Sequence, residues 1–133
     1  MPVDHDAVRG EVRFEHVGFR YPDGPRPALS DIDVTVPAGS SLALVGATGS
    51  GKSTLASLVA RLNDPTTGRV LIDGVDVRDM TLADLARVVG VVAQETYLLH
   101  GTIRENLRHA RPDATDEEMV AAARRARAPV LRR

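Results

Sequence analysis

The 133-residue chain is 43% hydrophobic, which supports one packed domain and excludes a disordered segment. Seventeen basic against 18 acidic residues leave a formal charge of -1, so the strongly basic footprint of a dedicated nucleic-acid binder is absent and no nucleic-acid partner is expected. Cysteine is missing altogether, which excludes disulfides and thiolate metal sites and fits a reducing compartment. The start of the chain, Met1 to Asp6, has neither the basic residues nor the apolar stretch of a secretory signal. No apolar run approaches the roughly 18 residues of a membrane span.

Residues 1–10 read as a linker, and 11–133 as the folded part. From Glu11 the chain alternates, but the phase slips. Val12 and Phe14 share one parity, while Val17, Phe19 and Tyr21 take the other, with Gly18 near the slip, so the pattern predicts two short strands or one bulged strand. A turn-rich stretch over Pro22 to Pro27 precedes a strand with Ile32, Val34 and Val36 on one face, and Pro37-Ala38-Gly39 turns the chain. Leu42 to Val45 is continuously apolar, as expected for a strand covered on both faces.

That strand feeds into Gly46-Ala47-Thr48-Gly49-Ser50-Gly51-Lys52-Ser53-Thr54, a full match to the phosphate-loop pattern G-x-x-x-x-G-K-[ST]. Lys52 is the only lysine among the 17 basic residues; the others are arginines. A chain that uses arginine elsewhere has kept a compact ammonium where it must reach between phosphates. Leu55, Leu58, Val59 and Leu62 then recur at helical spacing, predicting a helix that begins near Gly51 and stops before Asn63-Asp64-Pro65. Strand, glycine loop and helix follow in the required order.

Arg69 to Ile72 and Val75 to Val77, separated by Asp73-Gly74, predict a hairpin. Leu82, Leu85, Ala86 and Val89 predict a helix, Val91-Val92-Ala93 a buried strand ending at Gln94, and Ile103 to Leu107 a short helix. Thr115 and Glu118 form a capping box, placing the start of a last helix near Asp116 and its end by Pro129. The arginines at 124, 125, 127, 132 and 133 read as a solvated helix face and a frayed end. The four histidines show no i, i+4 pairing and no ligand partners, so surface or packing roles are expected. Asp76 and Asp79 read as a solvated turn.

The chemistry of the loop follows from its residues. Gly46, Gly49 and Gly51 let the backbone take positive φ and approach an anion, so that successive N–H groups converge on one phosphate. The N-terminus of the following helix adds free donors and partial positive charge. Lys52 brings a full charge toward the β- and γ-phosphates, Ser53 a hydroxyl suited to Mg²⁺, and Thr54 a donor to the α-phosphate.

These residues resemble one family of phosphate-loop proteins, the ATP-binding domains of ABC transporters of the exporter type. Glu11 to Pro22 looks like that family's opening strands, Asp73-Gly74 is similar to its hairpin, and Val91-Val92-Ala93-Gln94 with Gly101-Thr102-Ile103-Arg104-Glu105-Asn106-Leu107 is similar to the stretch around its glutamine loop. The likeness implies an α/β fold, a P-loop NTPase core with an N-terminal antiparallel β subdomain. It implies ATP and Mg²⁺ as cofactors. Tyr21 would stack on adenine; Gly46, Gly49, Ser50, Gly51, Lys52, Ser53 and Thr54 would hold the phosphates. Ser53 and Gln94 would reach the metal, with Gln94 also at the attacking water. It further implies a transmembrane partner on whose cytoplasmic side the domain sits, a second nucleotide-binding domain as dimer partner in the full-length protein, and export of a substrate that the residues do not name. Ala93 departs from the proline or serine often found there.

The larger departure lies after Gln94. The family's Leu-Ser-Gly-Gly-Gln-type signature, its Walker B strand ending in Asp-Glu and its switch histidine do not occur in the 133 residues, so residues 11–133 read as a partial domain truncated before them. No carboxylate can be assigned to polarise the attacking water. Two readings of the chain follow, a fragment of a longer domain or the product of a truncated gene. The functional alternatives to an export ATPase are a half-domain that binds nucleotide without hydrolysing it and an inert gene remnant. In the resembling fold, strands of the missing half flank the one entering the loop, so a marginal, association-prone chain is expected.

Overall fold

The computed structural model describes residues 3–127 apart from Thr48 and Ser50. The chain forms two compact units, Met1–Val92 and Ala93–Arg133. The first unit contains a short 3-10 helix at His5–Ala7, strands β1 (Val12–Phe19) and β2 (Leu29–Val36), helix α1 (Lys52–Val59), strands β3 (Thr67–Ile72) and β4 (Val75–Asp76), a second 3-10 turn at Val77–Asp79, and helix α2 (Leu82–Val88). The second holds α3 (Ile103–Arg108) and α4 (Asp116–Arg125). The chain is thus α/β, with one four-stranded antiparallel sheet in the order β2-β1-β3-β4.

The phase slip in β1 resolves as one bulged strand. Its register against β2 shifts between Phe14 and Val17 and again before Phe19, and against β3 between Glu15 and Gly18. His16 takes a left-handed φ of 48° at the bulge. The extra residue turns Val17 and Phe19 to the face already used by Phe14, and all three are buried. They join Leu29, Val70 and Ile72 from the sheet, Leu55 and Leu58 from α1, Leu85 from α2, and Val77 and Met80 in one apolar cluster. Leu58 and Val17 are fully enclosed in it.

Asp73 and Gly74, at φ 49° and 82°, make the two-residue turn between β3 and β4, closed by the Ile72–Val75 pair. Positive φ at both positions is the geometry whose twist suits a tight hairpin. The Asp73 carboxylate reaches beyond its own turn and accepts hydrogen bonds from the backbone N–H groups of Arg9 (2.7 Å), Gly10 (3.0 Å) and Glu11 (2.8 Å). Partial burial opposes ionisation of this carboxyl, but the three N–H donors outweigh it and lower its pKa below the ordinary 3.8. The stability that this clamp brings is therefore complete above the ordinary value and is lost as pH falls through the lowered one. Asp73→Asn, which tolerates the same backbone but carries no charge, is expected to lower stability by about 1 kcal/mol at neutral pH and to flatten the acid limb of a stability–pH curve.

Helix α1 stops earlier than the proline-based expectation. Leu62 N–H bonds the Ser57 carbonyl and Arg61 N–H the Leu58 carbonyl, with Arg61 at φ 53°, so the helix closes by a left-handed residue well before Pro65. In the second unit both helices begin with complete capping boxes, Thr102 with Glu105 and Thr115 with Glu118. Met119 and Ala123 are the buried positions of α4. The expected end of this helix by Pro129 falls outside the described residues.

Two expected strands do not form. Residues 41–47 and 91–93 carry no strand pairing, and Val45 is 89% and Val92 100% exposed. An apolar run becomes a buried strand only when neighbours pair with its edges and other elements cover its faces, and the β2-β1-β3-β4 sheet offers neither segment a partner. Leu42, Leu44 and Val45 therefore leave apolar surface in water. The isolated chain is expected to self-associate with rising concentration in sedimentation velocity, with Val45→Asp reducing the association. Strong hydrogen-exchange protection at 41–47 in the dilute monomer would contradict this.

Candidate nucleotide site

The glycine loop is positioned from both ends. Upstream, β2 finishes at Val36 and Ser40 bonds back to the Pro37 carbonyl through both its N–H and its hydroxyl, turning the chain toward 41–47. Downstream, Gly51 at φ 95° is the N-cap of α1. A Cβ on Gly51 would lie 2.8 Å from the Ala28 carbonyl oxygen and 3.0 Å from Leu29 Cδ2, so glycine is required both for the conformation and for the approach of the loop to the start of β2. Gly49 is also left-handed, at φ 83°. Ser50 lies outside the described residues.

Among the described residues no side chain caps α1, and its first internal hydrogen bond runs from Leu55 N–H to the Gly51 carbonyl. The N–H groups of Lys52, Ser53 and Thr54 thus stand at the helix start without an intrahelical acceptor, an arrangement that favours an anion. The Lys52 ammonium folds back over the loop and donates to the Gly46 carbonyl oxygen. Ser53 is exposed beside it. These donors fit a nucleotide phosphate, and the exposed hydroxyl fits a hydrated Mg²⁺.

Unlike Lys52 and Ser53, Thr54 is buried, at 6% exposure. Its hydroxyl lies 2.9 Å from that of Tyr21. Tyr21 follows β1 and opens a turn closed by Gly24 N–H on its carbonyl. Its ring stands edge-on to Phe19, with centroids 4.7 Å apart and planes at 88°. Tyr21, Gly46, Lys52 and Thr54 are thereby linked within the first unit. Gln94 is an exposed residue at a bend of the second unit. The shared parity of Phe19 and Tyr21 signals their ring contact, whereas nothing in the sequence signals the bond between Tyr21 and Thr54.

The expectation that no histidine has ligand-type partners needs correction for His16. The bulge brings its Nδ1 to 2.8 Å from Asp31 and 3.1 Å from Asp33, and its backbone N–H donates to Asp33. The Asp31 hydrogen bond first, and then the charge of Asp33, raise the pKa of His16 above 6.5. Any stability from this exposed group is present below pH 6.5 and is lost as pH rises through the raised value. The contacts join β1 to β2 at the bulge, and they arise from pairing between residues 15 or more positions apart.

Among the described residues no helix is long and apolar enough to cross a membrane. Residues 29–132 match the family model described as ABC transporter. Over 126 residues the chain is 52% identical to the beta-(1-->2)glucan export ATP-binding/permease protein NdvA of Rhodopseudomonas palustris (strain BisB18), covering 95% of this chain and 21% of that protein. It is 47% identical to the putative multidrug export ATP-binding/permease protein YgaD of Bacillus subtilis (strain 168), again over 95% of this chain and 22% of the relative. A solved structure of a bacterial Atm1-family ABC exporter with ATP bound superposes with a TM-score of 0.84 at 38% identity, over 98% of this chain and 22% of that one. The chain therefore spans about a fifth of the length of these relatives. With its phosphate loop, its antiparallel sheet and these matches together, the chain belongs to the ABC transporter family and corresponds to part of the family's ATP-binding domain.

Proposed function

We propose that the chain is the nucleotide-holding part of an ABC exporter's ATP-binding domain. It binds ATP with Mg²⁺ and works in a full-length protein beside a transmembrane partner and a second ATP-binding domain, on the cytoplasmic side of a membrane. The observation that carries this reading is the uncapped start of α1, with Gly51 in a left-handed conformation and Lys52 turned over the loop. The N–H groups of Lys52, Ser53 and Thr54 and the ammonium bind the phosphates, and Tyr21 offers its ring to the base. Mg²⁺ would neutralise charge between the β- and γ-phosphates. Ser53 would hold it.

Ser53→Ala separates metal from phosphate recognition. ATP affinity measured with Mg²⁺ is expected to fall about tenfold, while affinity in excess chelator stays unchanged. Equal losses in both conditions would remove Ser53 from the metal.

A second reading is nucleotide binding without turnover. Phosphate release at saturating ATP distinguishes the two. Turnover that disappears in Lys52→Ala would support an ATPase, titratable ATP binding without turnover would support a binding module, and no binding would support an inert remnant. The exported substrate is left open, since specificity belongs to segments other than this one.

A further inference from the structure

The Tyr21–Thr54 contact crosses two parts of the site that the phosphate-loop pattern treats separately. Thr54 belongs to the first turn of α1, immediately after the lysine and serine of the loop. Tyr21 belongs to the turn after β1, 33 positions away. Both hydroxyls have one proton and two acceptor lone pairs, so two such groups can form a chain instead of competing. The phenol, more acidic than an aliphatic alcohol, is the better donor. With its proton on Thr54 Oγ1, the threonine keeps its own proton for a further acceptor.

Three features give this contact a positioning role. Thr54 is β-branched and in a helix, so its χ1 is restricted, and burial to 6% exposure confines it further. The Tyr21 ring is held from a second side by its T-shaped contact with Phe19. Tyr21 is nevertheless 44% exposed, leaving surface for a flat ligand. A platform already fixed at two points loses little conformational freedom when a base stacks on it. A buried threonine serving packing alone would leave the phenol in water.

We propose that Thr54 is a positioning residue for Tyr21, and that the Tyr21–Thr54 hydrogen bond couples the base subsite to the phosphate loop, so that purine and triphosphate bind as one unit. This rests on the nucleotide reading above. The ring acts through its face and the hydroxyl through Thr54, while the remaining Thr54 proton is donated to a phosphate oxygen. A ligand lacking either half forgoes the coupling.

The test has a part that needs no nucleotide. The chain has two tyrosines and no tryptophan, so Tyr97→Phe makes Tyr21 the single emitter in the 133-residue chain. Acrylamide quenching of Tyr21 is expected to rise about twofold in Thr54→Val and to stay unchanged in Thr54→Ser, which keeps the hydroxyl. Equal quenching in the parent and Thr54→Val would overturn the proposal whether or not the chain binds ATP. Circular dichroism of Thr54→Ser and Tyr21→Phe, which leave the packing intact, controls for folding.

The second part compares ATP with inorganic tripolyphosphate. Tyr21→Phe and Thr54→Val are each expected to weaken ATP about five- to tenfold, with the double variant no weaker than Thr54→Val alone. Tyr21→Phe should leave tripolyphosphate affinity unchanged. Additive losses for ATP, or a Tyr21→Phe chain that binds ATP like the parent, would overturn the coupling. Failure of the parent chain to bind either ligand would instead overturn the nucleotide reading, and the quenching result would still decide the positioning role.

Discussion

Lys52→Ala is expected to weaken ATP binding by at least about 100-fold while leaving the fold intact. The side chain contributes a full positive charge to a loop whose other contributions are backbone dipoles, and charge-assisted hydrogen bonds are worth about 1.5–3 kcal/mol each. Losing bonds to two phosphates thus removes about two to four decades of affinity. Its structural contribution is slight, since its hydrogen bond goes to the Gly46 carbonyl in an exposed setting and no buried group depends on it. The denaturation midpoint should therefore stay within about 0.5 kcal/mol of the parent. Lys52→Arg is not expected to restore binding, because a broad planar guanidinium does not replace a compact ammonium among phosphate oxygens. Calorimetric titration with ATP gives the comparison. A variant that binds within a few-fold of the parent would remove the lysine, and with it the phosphate loop, from the binding site.

Gly68→Ala is expected to destabilise the first unit by about 2–5 kcal/mol. Gly68 lies in β3 at φ 74°, opposite the β1 bulge, and a Cβ there would sit 2.3 Å from the carbonyl oxygens of both Glu15 and His16. A left-handed alanine costs about 1–2 kcal/mol, and forcing two paired strands apart costs about 1–3 kcal/mol more. Neither obstacle can rotate away, since both are backbone. Gly74→Ala isolates the first cost: its φ is 82°, but nothing lies within 4 Å of its Cβ position, so a loss of about 1 kcal/mol is expected. Urea denaturation monitored by far-UV circular dichroism compares the two variants. Similar midpoints would show that the strands yield around Gly68.

The contrast between these glycines shows what local pattern conveys. Asp73-Gly74 announces a tight turn through its own two residues, and the hairpin forms there. Gly68 lies inside β3, and its constraint comes from a bulge more than 50 positions earlier in β1. The phase slip of β1, the start of α1 at the glycine loop and the α4 capping box were all legible, being carried by residues within one or two turns of each other. The early end of α1 was not, because Arg61 adopts a conformation for which glycine is the usual signal. The bond between Tyr21 and Thr54 and the pairing of His16 with Asp31 and Asp33 were likewise illegible, since both depend on which strand faces which.

The amino-acid sequence by itself determined the phosphate-loop motif, the family likeness and most element boundaries, because glycine loops, caps and turns are specified by neighbouring residues. Only the tertiary structure decided what becomes of an apolar run. Leu42 to Val45 and Val91 to Val92 have the composition of buried strands, yet they remain unpaired and exposed. A strand is a relation between segments, and its hydrogen bonds and covered faces come from partners that its own residues do not supply.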